Sequence, residues 1–477
     1  MKKVLFYLAA LVGVATVSCR KIEEDGQIVI VNNNSGTNNP TTGQTITLRG
    51  RIDKDTLLRK GNNYIIDGLV YMVNNATMRI EPGVTVKANF QGANVGALVI
   101  TRGAKLVADG SVNEPIVFTS ANPRPRSGDW GGVVLCGRAS INTTYNGQQG
   151  VYQVEGGINN SFGDGLAGGG TNPNDDDSSG VLRYVRIEYA GYAFNPDQEI
   201  NSLTMAAVGR KTVIDYVQIT YAKDDAFEWF GGTVDCQHLI SWKTQDDDFD
   251  TDNGFSGRVQ FGLIFRDSTI ADISRSEAFE SDNDANGSTN APQTRAVFSN
   301  ITAIGPRATL TNVGNSLYLA AAQIRRNSGI SIFNSIFIGW PTGLLIDASR
   351  GRALDLNVQD STVRFKNNII AGCNTAYAYT ASATPTGWNN QSVQDWFSNT
   401  FFANQTIATA DGARLIAPFN YSQPDPTPFG VSGSPASGAS FADPKLVGFR
   451  AVSFRGGVAA AGADQTWWKG WTSFPTE

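Results

Sequence analysis

The residues best able to do chemistry in this chain are acidic, and they come in sets that repeat. Asp224-Asp225-Ala226-Phe227-Glu228 is followed twenty-two residues on by Asp246-Asp247-Asp248-Phe249-Asp250, and thirty residues later by Ser276-Glu277-Ala278-Phe279-Glu280. If Phe227, Phe249 and Phe279 are equivalent core positions, the flanking carboxylates form a column along one edge of the molecule. Like charges a few ångströms apart repel and raise one another's pKa unless a cation or strong donors intervene. Calcium suits such a column, because it takes about six to eight oxygens in irregular geometry. The expected ligand set is Asp224, Asp225, Glu228, Asp246, Asp247, Asp248, Asp250, Asp252, Glu277, Glu280, Asp282 and Asp284. No EF-hand spacing is present. A solvated acidic edge that keeps neighbouring sheets from pairing is the alternative.

Aromatic rings lie close to these acids in sequence. Tyr192, Trp229 and Trp242 are the expected ligand-binding rings, with faces for sugar stacking beside oxygens for sugar hydroxyls. Tyr189 and Tyr221 join them or stack within the core. Ser-His-Asp, Cys-His and His-rich zinc chemistry are largely excluded by inventory, since each needs an imidazole placed beside other specific groups and His238 is the one histidine of the sequence. If the column is catalytic, Asp225, Asp247 and Asp250 are the candidates, either for acid/base glycoside hydrolysis or for a calcium-assisted lyase reaction. The net charge of −5 argues against nucleic acid as a partner.

What must position these groups is a repeat. Ile80-Glu-Pro-Gly-Val-Thr-Val-Lys-Ala88 aligns with Ile100-Thr-Arg-Gly-Ala-Lys-Leu-Val-Ala108, two short strands around a glycine turn. Leu182 to Ala190 aligns with Ile214 to Ala222, and Ile332 to Gly339 aligns with Phe365 to Gly372. Phe298-Ser-Asn300 and Phe397-Ser-Asn399 fit the second frame, so Asn300, Asn334, Asn367 and Asn399 are expected to stack as a ladder. A unit this short cannot bury its own apolar face and must stack on copies of itself. The expected fold is all-β: a right-handed parallel β-helix, a solenoid of pectate-lyase-like architecture with long turn insertions. Residues 46–477 form this single domain, with an insertion loop over 141–180 standing off the rod. The run Trp467-Trp468-Lys469-Gly470-Trp471 is expected to close the rod's open end.

The N-terminus reads as an export signal. Lys2 and Lys3 precede an apolar stretch ending at Ser18-Cys19, so residues 1–18 form a lipoprotein signal peptide and Cys19 is the lipidated residue. Residues 19–45 then form a flexible, lipid-anchored linker, rich in Asn, Gly and Thr. Cys136, Cys236 and Cys373, odd in number and set in apolar runs, are expected as buried thiols.

Asp224 to Val234, the acidic Asp246 to Asp252 segment, Glu280-Ser281-Asp282-Asn283-Asp284 and Gly128-Asp129-Trp130-Gly131-Gly132 together resemble an uncharacterised family of Bacteroidota-type envelope lipoproteins. That family is built on a right-handed β-helix and is often encoded near TonB-dependent receptors. The resemblance implies a cell-surface, outer-membrane lipoprotein with a nutrient-uptake or accessory role and a TonB-dependent receptor partner. The acidic start after Cys19 likewise resembles the export tag of such lipoproteins. Polygalacturonase-like motifs match poorly: Asp250-Thr251-Asp252 and Asp246-Asp247 are reminiscent, but His238 lies between Gln237 and Leu239, and no Arg-Ile-Lys occurs. A non-catalytic, calcium-stabilised protein that binds an extracellular polysaccharide or a receptor is the expected function. A polysaccharide lyase or glycoside hydrolase, or an adhesive rod, are the alternatives.

Overall fold

The computed structural model describes residues 28–31 and 43–476, apart from 196–197, 313 and 431–432. The expected signal segment and Cys19 lie outside the described residues. A 27-stranded sheet dominates, and all its pairings are parallel except that of Ile28–Val31 with Thr45–Ile52. That strand falls inside the stretch read as a tether, so part of it is paired backbone. Each coil of chain lays down three short strands, and each strand pairs with its equivalent in the next coil. One column runs through 180–183, 213–215, 236–237 and 258–260, and a second through 185–188, 217–220, 239–242 and 262–265. The third runs through Leu203–Ala206, Phe227–Phe230, Phe249–Asp252 and Phe279–Ser281. The molecule is a parallel β-helix, as its repeats require.

The core follows from alternation. In Gly180–Glu188, Leu182, Val185 and Ile187 are fully buried while Arg183, Arg186 and Glu188 reach outward. Phe227 pairs in register with Phe249, and Phe249 with Phe279, their rings 5.7 and 5.3 Å apart. The later repeats are also true neighbours: Leu182 faces Ile214, and Ile332 faces Phe365. The earlier one is not. Ile80 pairs with Ala108, and Ile100 with Met72, because residues 80–88 and 100–108 turn different corners of the coil. Glycine turns of similar composition produced the resemblance.

Where the first column turns into the second, one residue per coil has a positive φ: Tyr184 (51°), Tyr216 (54°), His238 (52°), Phe261 (64°), Asn300 (61°), Asn334 (51°) and Asn367 (60°). Asn tolerates this region through its short polar side chain, whereas the bulky residues are strained there. Those rings stack in compensation, Tyr184 on Tyr216 at 4.4 Å, Tyr216 on His238 at 4.1 Å and His238 on Phe261 at 5.2 Å. Asn334 and Asn367 stack as expected, with Asn367 Nδ2 donating to Asn334 Oδ1 at 2.7 Å. Asn399 does not join them, since it follows the helix Asn390–Ser398 as its C-cap.

Two further expectations need correction. The 141–180 insertion does not stand off the rod: Ile141, Val154, Ile158 and Ala167 are buried against Tyr71, Val99, Val134 and Phe230 on the outer face of the third column. The tryptophan-rich C-terminus does not close the rod's end either. Helix Asn390–Ser398 covers the last coils, with Phe397 4.8 Å from Tyr377 and 5.8 Å from Phe365. The C-terminal segment instead runs back along the side, over the aromatic corner. Trp471 meets Tyr184 and Tyr216 edge-on, and Trp467 lies 4.9 Å from His238. Cys136 and Cys236 are buried free thiols, while Cys373 is partly exposed.

Candidate cation site

Along the outer face of the third column, one register position reads Val99, Val134, Thr204, Glu228, Asp250, Glu280, Gln323. The apolar start is covered by the insertion. Past it the face turns acidic and opens into a cleft of about 410 Å³, lined by Asp224, Asp225, Glu228, Asp246, Asp247 and Asp250, among others. The repeat therefore brings together most of the expected ligands.

A second column of side chains lies two residues before the core aromatics. Asn201 Oδ1 accepts the Asp225 N–H (3.2 Å), Asp225 Oδ1 accepts the Asp247 N–H (2.9 Å), and Asp247 Oδ1 accepts the Glu277 N–H (2.6 Å). Each acid is thus fixed by the backbone of the next coil, which orders the column without neutralising it. Oxygens of Asp224, Asp225 and Asp246 lie within 4.8 Å of one another, as do those of Asp225, Glu228 and Asp250 and those of Asp247, Glu277 and Glu280. Oxygens that share a calcium ion at about 2.4 Å can be at most about 4.8 Å apart, so each trio fits around one ion. Glu277 is 1% exposed, and neither of its carboxylate oxygens receives a donor; its neighbour is another carboxyl, Asp247. One oxygen each of Asp246 and Asp250 also lacks a donor.

The electrostatics follow from burial and crowding. Burial, reinforced by the Asp247 charge, pushes Asp246 up to about 8, and burial with Asp252 does the same to Asp250. Burial lifts Glu277 to about 7. Asp225, Glu228 and Asp247 stand well above the usual carboxylate range, through burial first and then through Asp224, Glu155 and Glu277 respectively. These groups resist being simultaneously charged unless a cation joins them.

Four of the expected ligands are engaged by other partners, and a fifth, Glu280, is paired with Arg325 at the cleft. Asp248 is buried on the other side of the strand, where it accepts from Arg266 Nε at 2.7 Å. Asp282 holds Arg325 and Arg326 at 2.9 and 2.6 Å, and Asp284 shapes a turn through the N–H groups of Asn286 and Ser288. Asp252 accepts the backbone N–H of Asn253 and is not among the residues lining the cleft. The rings are also elsewhere: Trp229 is fully buried in the core, and Trp242 lies under the C-terminal segment, its Nε1 3.0 Å from the Pro475 carbonyl. Tyr192 is half-buried and packs edge-on against Phe194 at 5.0 Å, outside the cleft lining. Tyr189 and Tyr221 stack on each other at 5.7 Å.

Sequence reading missed the cleft's other walls. Glu155 comes from the insertion, Glu199 from the short hairpin before Asn201, and Arg275, Arg325 and Arg326 from later coils. Arg325 pairs with Glu280 as well as Asp282. Only Asn201 carried a signal, because it precedes Leu203 by the offset that separates Asp225 from Phe227.

No curated protein and no solved structure matches this sequence. A family model described as a pectate-lyase-like β-helix domain matches residues 50–415, a span that holds all but the start of the first parallel strand and the whole acidic cleft. The chain belongs to this pectate-lyase-like β-helix family.

Proposed function

We propose that the protein is a non-catalytic binding module that holds calcium in its acidic cleft and uses it to capture an extracellular glycan. The observation that carries this reading is the carboxylate trio Asp225/Glu228/Asp250, whose oxygens crowd within one ion's coordination sphere, beside Glu277, neither of whose carboxylate oxygens has a hydrogen-bond partner. A calcium ion bound there keeps coordination positions for sugar hydroxyls or carboxylates, and this task needs no exposed tryptophan. The same crowding disfavours glycoside hydrolysis, in which two carboxyls about 5–9 Å apart flank a sugar and, in inverting enzymes, a water. No imidazole serves the cleft, because His238 sits at the aromatic corner with Nδ1 2.7 Å from Asp215. The proposal extends to location: a lipid on Cys19 holds the rod at the outer-membrane surface, where a TonB-dependent receptor is its partner.

Calcium added to chelator-stripped protein should raise the melting temperature by a few degrees, and Asp225→Asn with Asp247→Asn should remove the shift. An identical melt with calcium and with excess chelator would sink the cation site. Release of product from any of a broad polysaccharide panel by the unmutated protein would replace the binding reading with a lyase or hydrolase.

A further inference from the structure

A second cleft, of about 680 Å³, lies where the turns between the third and first columns stack, and its character is the reverse of the acidic one. Asn75, Arg102 and Arg138 come from turns of successive coils, following Met72, Ile100 and Leu135, which pair in register. They converge closely: a Cβ built on Gly103 would collide with both Asn75 Oδ1 and Arg138 Nη2. Arg138 Nη2 donates to the Arg102 carbonyl (3.1 Å), and Arg102 Nη1 donates to the Gly168 carbonyl (3.2 Å). The insertion supplies the opposite wall, including Phe162, a residue 52% exposed whose ring carries the Arg51 guanidinium 3.9 Å from its centroid.

Charge is unbalanced here. Asp164 is committed to Arg51 at 2.8 Å, and Asp177 accepts the backbone N–H of Arg138 at 3.0 Å. Among the described residues no carboxylate forms an ion pair with Arg102 or Arg138. The adjacent Cys136 supplies no counter-charge, since burial pushes its thiol up to about 12. Two neighbouring guanidinium groups on a fixed backbone, flanked by asparagine amides, present planar forks of donors that match an oxyanion.

We propose that this cleft is an anion site, in which Arg102 and Arg138 bind a carboxylate, sulfate or phosphate group, independently of the acidic cleft. The group is either a free oxyanion or one borne on a sugar, and the two sources are separable by experiment. Titration calorimetry on the full protein would use sodium sulfate, sodium phosphate, glucuronate and, as a neutral control, glucose, all on protein stripped of divalent cations and then dialysed free of chelator, so that the acidic cleft is silent and no polycarboxylate competes. Saturable binding of sulfate or phosphate alone assigns a free oxyanion; tighter binding of glucuronate assigns a sugar-borne group. Arg102→Gln with Arg138→Gln should weaken either by at least about tenfold, the loss expected for charge-assisted hydrogen bonds. Arg138→Gln alone, at an exposed position, gives the same direction if the double variant folds poorly. No saturable anion binding, glucose binding as well as glucuronate, or affinity unchanged in Arg138→Gln would overturn the proposal. Failure of calcium binding at the acidic cleft would leave this result untouched.

Discussion

Glu277 shows what single residues contribute here. It is a buried acid without a donor, raised to about 7 by burial, next to Asp247 and within 4.8 Å of Glu280. In the ion-free protein its charge is a cost, so Glu277→Gln should raise stability in chelator by an amount on the order of 1–3 kcal/mol, seen as a higher melting temperature. The same change should weaken calcium binding, and an ion-free melt no higher than that of the parent would refute the assignment. The pH dependence has a definite sign. Unfolded carboxylates release protons near about pH 4, whereas Asp246 and Asp250 hold theirs in the fold until about 8. The folded state then binds more protons between those limits, so the cleft's contribution to stability is greatest at low pH and is lost as pH rises from about 4 to about 8. Melts in chelator should accordingly fall between pH 5.5 and 8, roughly that window's interior, and calcium should flatten the slope. The acids themselves were legible because Phe227, Phe249 and Phe279 mark their register. Asp248 was misassigned because it lies in the bend before Phe249–Asp252, where strand alternation does not hold, and its carboxylate is taken up by the buried Arg266.

At the scale of the coil and its corners, Asn334 tests how a rung is held. It has φ 51° and is fully buried; its Oδ1 accepts from Asn367 at 2.7 Å and from the Ser440 N–H at 2.9 Å. Asn334→Ala strains a left-handed backbone and strands two donors, for a loss of roughly 2–4 kcal/mol. Asn334→Gly relieves the backbone alone and should be milder by about 1 kcal/mol. Equal losses in urea titrations would show that backbone conformation is irrelevant at this corner. The asparagine ladder could be read in the sequence because one residue type recurs at one period. The same corner in the earlier coils could not, since Tyr184, Tyr216, His238 and Phe261 share no chemistry beyond flat rings. Residues 80–88 and 100–108 show the converse error, in which similar turns belong to different corners. The insertion's packing escaped notice because Ile141, Val154 and Ile158 follow neither strand nor helix periodicity, yet they cover an apolar outer face.

Over the whole molecule, the C-terminal segment decides whether the rod behaves as one unit. A solenoid's coils touch only their neighbours, so its stability is close to a sum of local terms and its ends can unfold separately. Here the segment crosses many coils. Asn367 donates to the Gly438 carbonyl, Asn334 to Ser440 and Asn300 to Phe454, while Gln260 donates to Arg450 and Gln218 to Ser473, at 2.6 to 3.1 Å. Trp471, fully buried, reaches the coil of Tyr184, and Arg186 donates to its carbonyl at 3.2 Å. Contacts between residues so distant in sequence tie early coils to late ones. Trp471→Ala should therefore cost about 3–5 kcal/mol where it packs and also loosen the coupling between coils. In urea, circular dichroism and tryptophan fluorescence should follow one transition in the parent protein and separate into two in the variant, with the aromatic corner opening first. A variant that melts lower but still in a single coincident step would mean that the segment adds stability without joining the coils, and that the stacked strands alone carry cooperativity along the rod.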